Sequence, residues 1–286
     1  MTADTPLSIH VHTAPMRPIP SKPLGPGYEP RWSPCSSTLI AGERDAYLVD
    51  SLITHDQVDQ LADWTEALGK RVVGILITHG HSDHWMGIAR LQERFPGARG
   101  LATKDVFAHA QFEASDEGLQ KYWHTVFPDG QIPDVPVPPE LLETDSLDLE
   151  GHTISAIDIG QGDVEHSTVF HVPSLDAVAA GDVTYNQVHM MTAYTDTAAR
   201  EAWIASLDAI AALGPRTVVS GHKRVDAPDA PDQIEQSKQY LRDFSRIADE
   251  QETTEGIVRA MLELHGDRDN PHTLWFSAAQ TIAKRG

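Results

Sequence analysis

Along this chain the period of hydrophobic and polar positions changes several times, and each change marks an element. Short apolar and β-branched runs read as strands at about Ser8–His12, Ser37–Ala41 and Ala46–Asp50. From about His55 to Leu68 the period becomes helical, with Val58, Leu61, Ala62, Thr65 and Leu68 on one face. Thr54 and Gln57 stand where a capping box would start that helix, and Gly69 where it would stop. Val72 to Ile77 is almost continuously apolar, as in a strand buried on both faces. That strand ends at Thr78, and a second helix is expected from about His84 to Arg94.

Two more helices, near Lys104–Phe112 and Ser115–Val126, lead into a proline-rich loop from Pro128 to Pro139. Strands follow at about Leu147–Leu149, Thr153–Asp158, Ser167–His171 and Ala177–Ala180, then a helix at about Thr197–Leu213 and a last strand at Thr217–Ser220. Beyond about Pro231 the pattern is helical. Ile234, Leu241, Phe244 and Ala248 make one stripe; Ile257, Met261, Leu262 and Leu264 make another. Strands come in two groups, each followed by helices, which predicts an α+β fold of two sheets packed face to face with helices outside. The stretch from Pro15 to Pro34 holds seven prolines and is expected to drape over the surface beside any site.

Candidate chemistry concentrates in Thr78-His79-Gly80-His81-Ser82-Asp83-His84, where the buried strand gives way to a helix. Alternation sends His79 and His81 to one side, with Gly80 letting the backbone curl between them. Asp83 and His84 then turn toward a second point. Three histidines and an aspartate in six residues exceed what a polar turn requires and suit a pair of borderline metal ions. Two ions need further ligands, and later strand ends offer His166, Asp182 and His222. Each alone is weak; together they complete a set. His10, His12, His55, His109, His152, His171, His265 and His272 read as structural or exposed.

The run His79 to His84 resembles the HxHxDH signature of the metallo-β-lactamase superfamily. His166, Gly181-Asp182 and Gly221-His222 resemble that family's later motifs, so the likeness covers most of the chain. It implies an αβ/βα four-layer sandwich over residues 1–230, with residues 231–286 as a C-terminal helical extension packed on the core. It also implies that His79, His81 and His166 bind a first metal and that Asp83, His84 and His222 bind a second, with Asp182 bridging. Asp50 resembles the family's aspartate that orients the ligand loop; a turn aspartate is the equal alternative. Two divalent ions are implied, zinc first, with iron or manganese compatible.

On this reading a hydroxide bridging the ions attacks an ester, lactone or thioester carbonyl, because zinc lowers the pKa of its water to about 7. Asp83 would orient that hydroxide and accept its proton. Asp182 stands where the best-known β-lactamases carry cysteine, so the resemblance is to the glyoxalase II and acyl-homoserine lactonase branch. Tyr185 resembles the tyrosine that some lactonases aim at the substrate carbonyl; packing under its loop is the alternative. Trp85, His189, Met190, Met191 and Tyr194, with Tyr122, Trp123 and His124, are candidates for an aromatic, methionine-lined acyl pocket, each with packing as its alternative. No serine or cysteine nucleophile is needed, and Cys35 reads as a small buried residue.

Charge narrows the partners. A formal net charge of −20 opposes nucleic acid and anionic membrane surfaces. No run approaches the roughly 18 apolar residues of a membrane helix. The start, Met1 to Pro6, lacks the basic and apolar stretches of a secretory leader, and the one cysteine excludes an internal disulfide, so a cytoplasmic protein acting on a small molecule is expected. The C-terminal stripes would be exposed if they stood alone, so they must pack on the sandwich or on a second copy of the chain, which leaves a homo-oligomer open. Lys238, Arg242 and Arg246 follow one helical face but form no cluster suited to anionic glutathione, which favours an apolar or neutral ester or lactone. The same scaffold admits a mononuclear iron dioxygenase of glutathione persulfide, a β-lactamase, or a nuclease; the last needs a basic groove that the sequence lacks.

Overall fold

Side-chain alternation on the strands builds three cores. Leu39, Leu48 and Ile75 point to one face of their strands and pack with Leu61 of the helix His55–Ala67 and Leu91 of the helix Ile88–Arg94. Their chain neighbours Ile40, Val49 and Leu76 point the opposite way and pack with Leu149, Ile154, Phe170 and Ala179 of later strands. On the far side Val169, Val178 and Val218 pack with Leu207 of the helix Thr197–Ala212 and Phe244 of the helix Asp232–Glu250. A period of two therefore yields the order helix, sheet, sheet, helix, an αβ/βα sandwich. This computed structural model describes residues 6–285, so the stretch Met1–Thr5 used for the leader expectation lies outside the described residues.

The two expected sheets are halves of one mixed, eleven-stranded sheet. In the first half Glu140–Leu141, Arg99–Ala102, Arg71–Leu76 and Asp45–Val49 run parallel. Cys35–Ala41 follows antiparallel, with Ser8–Ala14 beside it. The second half orders Thr217–Lys223, Ala177–Asn186, Ser167–Val172, His152–Gly160 and Ser146–Leu149. The halves meet through the strand pair of His222 and Cys35 and through an isolated bridge between His79 and Ser167.

Several boundaries move, for physical reasons. The strands Ala177–Asn186 and Thr217–Lys223 run past the expected ends and carry Asp182, Tyr185 and His222 with them. The helix expected from His84 to Arg94 is broken into Ser82–Trp85 and Ile88–Arg94, because the Gly87 N–H donates outward to Leu52 O at 3.0 Å and Ser51 Oγ at 3.1 Å. Leu262 and Leu264 are exposed; Val258 joins Ile257 and Met261 inside instead. The C-terminal helices Asp232–Glu250, Thr254–His265 and Pro271–Ala283 share their core with the second half of the sheet. The proline-rich N-terminal segment lies over the last of them, with Tyr28 stacked on Trp275. Among the described residues no helix is long and apolar enough to cross a membrane.

Candidate metal centre

The strand Arg71–Leu76 delivers residues 78 to 84 to the edge where the two halves of the sheet meet. The Thr168 N–H donates to Thr78 O at 2.7 Å, tying this loop to the other half. His81 occupies the position just before the short helix Ser82–Trp85, so Asp83 and His84 ride its first turn. Gly80 is needed for close approach more than for curvature: a Cβ there would lie 2.3 Å from the His109 ring. Gly221 serves the same purpose on the far side, where a Cβ would lie 2.1 Å from Asp182 Oδ1.

Among the described residues three overlapping groups of possible metal-ligand atoms result, each with its atoms within 4.8 Å of one another: His79, His81 and Asp163; His79, His84 and Asp182; and Cys35, Asp83, His84 and His222. In the first, His81 Nδ1 is 2.9 Å from Asp163 Oδ2, and His79 Nε2 is 3.8 Å from Asp163 Oδ1. Deeper in, His84 Nε2 lies 3.7 Å from Asp83 and 3.5 Å from Asp182. His222 Nε2 lies 3.4 Å from Asp83 and 3.3 Å from Asp182.

Partners behind the histidines fix which nitrogen faces the centre. Asp50 is buried; it accepts from the Thr78 N–H at 2.9 Å, the Thr78 hydroxyl at 2.8 Å and His84 Nδ1 at 2.9 Å. The Thr78 oxygen then faces His79 Nδ1 at 3.1 Å. A carbonyl can only accept, so His222 Nδ1 carries the proton it shares with Pro34 O at 2.8 Å. These contacts leave Nε2 of His79, His84 and His222 facing inward, the arrangement that orients metal-binding imidazoles.

Electrostatics reinforce the picture. Burial opposes charge on the histidines, yet the carboxylates outweigh it at three of them. Asp163 carries His81 up to about 10, Asp182, Asp83 and Asp50 lift His84 well above the usual imidazole range, and Asp182 and Asp83 raise His222. His79, buried and flanked by His84 and His81, is pushed well down. Burial lifts Asp182 to about 6 against the pull of His222 and His84. Burial also raises Asp83, but His84 and His222 outweigh it and hold that carboxyl below its ordinary range. The carboxylates thus favour positive charge at His81, His84 and His222.

The residues fit metal ions. His79 Nε2, His84 Nε2, Asp163 Oδ1 and Asp182 Oδ1 are buried without a hydrogen-bond partner. Each orphan costs roughly 1–3 kcal/mol, so four converging on one cluster mark a place for bound ions. Histidine with carboxylate is a donor set for divalent metals.

The structure brings together six of the seven expected ligands, His79, His81, Asp83, His84, Asp182 and His222. His166 is the exception and is corrected: it is exposed and lines an outer groove. A tight turn, with the Gly162 N–H donating to Val164 O at 2.8 Å, points Asp163 inward instead. Asp163 was missed, although a glycine-flanked acid just ahead of a strand was its available signal. Tyr185 is buried; its hydroxyl donates to Asp182 Oδ2 at 2.5 Å and its ring stacks on His222.

A cleft of about 600 Å³ opens onto the centre, walled by Trp32, Tyr122, Trp123, Met191, Tyr194 and Phe276. It runs into a smaller cavity that shares Trp32, Tyr122, Met191 and Phe276 and is lined by Lys22 and Arg31 as well. Of the expected pocket residues Tyr194 lines it, whereas Trp85, His189 and Met190 are corrected to fully buried positions. Trp85 Nε1 donates to Gly80 O at 2.8 Å, His189 Nδ1 meets the Tyr240 hydroxyl, and Met190 sits in the core of the second half. His124 does not line the cleft, but His109, read as isolated, does, with its ring 5.7 Å from that of His81.

The family described as the metallo-beta-lactamase superfamily matches residues 30–222, well over half of the chain. The chain belongs to that superfamily. Its fold is that of metal-dependent hydrolases. Among solved structures it resembles a metallo-beta-lactamase family protein from Thermus thermophilus, at 21% identity and a TM-score of 0.65, covering 96% of this chain and 91% of that one. It also resembles the metallo-beta-lactamase FIM-1 from Pseudomonas aeruginosa in a mono-zinc form, at 18% identity and a TM-score of 0.59, covering 85% and 97%. A metallo-beta-lactamase from Pontibacter korlensis matches at 14% identity and a TM-score of 0.57, covering 85% and 97%. No curated protein matches.

Proposed function

We propose that the chain is a two-metal hydrolase of an ester, lactone or related carbonyl substrate whose body is apolar and uncharged. One observation carries this: two groups of ligand atoms, with Asp182 between them, floor a single aromatic-walled cleft. His79, His81 and Asp163 would hold one ion and Asp83, His84 and His222 the other, with Asp182 shared. Two divalent ions held there, zinc first among them, would make hydroxide available near neutral pH and polarise an acyl oxygen.

The chain's own residues do the rest. Asp83 reaches the cleft, where its carboxylate can orient a nucleophile and serve as proton acceptor. The Tyr185 hydroxyl, bound to Asp182, holds that carboxylate between the two groups. Trp32, Tyr122, Met191 and Phe276 offer ring and thioether surface to an apolar acyl group. Lys238, Arg242 and Arg246 are engaged with Asp208, Glu235, Asp243 and Glu250 and do not line the cleft, which supports a neutral substrate over a glutathione conjugate. The test is elemental analysis joined to a panel of lactones, aliphatic esters, thioesters, phosphodiesters and β-lactams. About two metals per chain and the highest kcat/KM on a neutral lactone or ester are expected; best turnover on a phosphodiester would overturn the substrate class.

A second reading has an observation of its own. His79, His81 and Asp163 form a two-histidine, one-carboxylate set, which suits non-haem iron and oxygen chemistry. One firmly bound iron per chain, oxygen consumption and no hydrolysis would establish it instead.

A further inference from the structure

Cys35 places a sulfur against the deeper half of the centre, where the proposed hydrolysis gives it no task. It opens the strand Cys35–Ala41 and pairs with His222 at the junction of the two halves of the sheet. Its side chain is buried, and its sulfur lies within 4.8 Å of ligand atoms of Asp83, His84 and His222. The hydrogen bond it makes is to the Asp83 carbonyl at 3.9 Å, close to the limit for sulfur and therefore weak. Beside it His84 Nε2 is fully buried and has no hydrogen-bond partner. A thiol buried among apolar groups needs no explanation; one facing two imidazoles and a carboxylate, next to an orphaned nitrogen, is in metal-ligand surroundings.

We propose that Cys35 is a sulfur ligand of the second metal, joining Asp83, His84, His222 and the shared Asp182. This rests on the two-metal reading and makes the two positions unequal. His79, His81 and Asp163 offer only nitrogen and oxygen, whereas a thiolate makes the deeper position softer and favours zinc there. Ligation exchanges the S–H bond for a sulfur–metal bond; the proton leaves to solvent and no oxidation state changes.

The test is spectroscopic. Metal-free protein titrated with Co²⁺ should bind two equivalents and develop near-ultraviolet sulfur-to-cobalt charge-transfer absorption. Cys35→Ser should lose that absorption while keeping the visible bands of cobalt at the first position. X-ray absorption of the zinc-loaded wild type should show a sulfur neighbour at about 2.3 Å, a readout that needs no variant and decides the matter if Cys35→Ser fails to fold. Two bound cobalt ions with only nitrogen and oxygen neighbours would overturn the sulfur ligand and leave the two-metal reading standing. A single equivalent would overturn the two-metal reading, and the presence or absence of the sulfur band in that species would still decide Cys35.

Discussion

The group His79, His81 and Asp163 is carried by loops and holds the most exposed ligand, His81 at the mouth of the cleft, whereas Asp83, His84, His222 and Cys35 cluster at the strand pair of Cys35 and His222. His81 keeps 15% of its side chain exposed and Asp163 hangs on a turn between strands. In the deeper group His84 is held by Asp50, His222 by Pro34, and Cys35 by its pairing with His222. Loops can change a ligand without disturbing the sandwich. The deeper group is part of the sheet's own closure, so changing it disturbs fold and site together.

Asp182 is the residue that should break both groups at once. Asp182→Ala removes the carboxylate between them and should lower kcat/KM by more than the roughly 10- to 100-fold that orienting partners cost. Elemental analysis should show loss of at least one metal; unchanged metal content and turnover would remove Asp182 from the centre. The comparison sharpens with Asp163→Ala, expected to cost about one metal per chain from the mouth while leaving the deeper one bound. His166→Ala is its control and should leave metal content unchanged, with stability within about 0.5 kcal/mol, as for other surface positions. Equal metal loss in both variants would return His166 to the ligand set.

A smaller effect is expected from Asp50→Asn, which weakens the hydrogen bond that aims His84. Metal affinity of the deeper position should fall about 10- to 100-fold, measured by competition with a chelator; the mouth position, whose His79 is reached by Asp50 only through the Thr78 hydroxyl, should fall less. Smallest is Tyr194→Ala, which trims the cleft wall beside His81. It should raise KM by less than about tenfold, since a partly exposed ring contributes a fraction of the 1.5–3 kcal/mol of full burial, and should leave metal content alone. A loss of metal in that variant would mean the ring supports the His81 loop.

Neighbourhood in sequence proved a poor guide to the cleft. Trp85 follows His84 directly, yet one helical step of about 100° turns it from the centre into the core. His189 and Met190 lie just beyond Tyr185, but Gln187 between them has a φ of 61° and redirects the chain inward. His109 has one ligand-type neighbour at helical spacing, Glu113, and the close approach of its helix over Gly80 brings both to the site. Arg99–Ala102 and Glu140–Leu141 are too short for alternation to reveal and exist because the sheet edge offers them partners.

By itself the sequence determined the alternation that makes four layers, the first helix with its Gly69 stop, and the run from His79 to His84, because each follows from a period of two or 3.6 residues or from side chains a few positions apart. Tertiary structure alone decided that Asp163 faces the centre and His166 faces away, that Cys35 lies beside His222, and that Trp32 and Phe276, from opposite ends of the chain, wall one cleft. Those contacts depend on how loops turn and how the folded sheet closes, and the energies that set them come from residues far away along the chain, which no local pattern records.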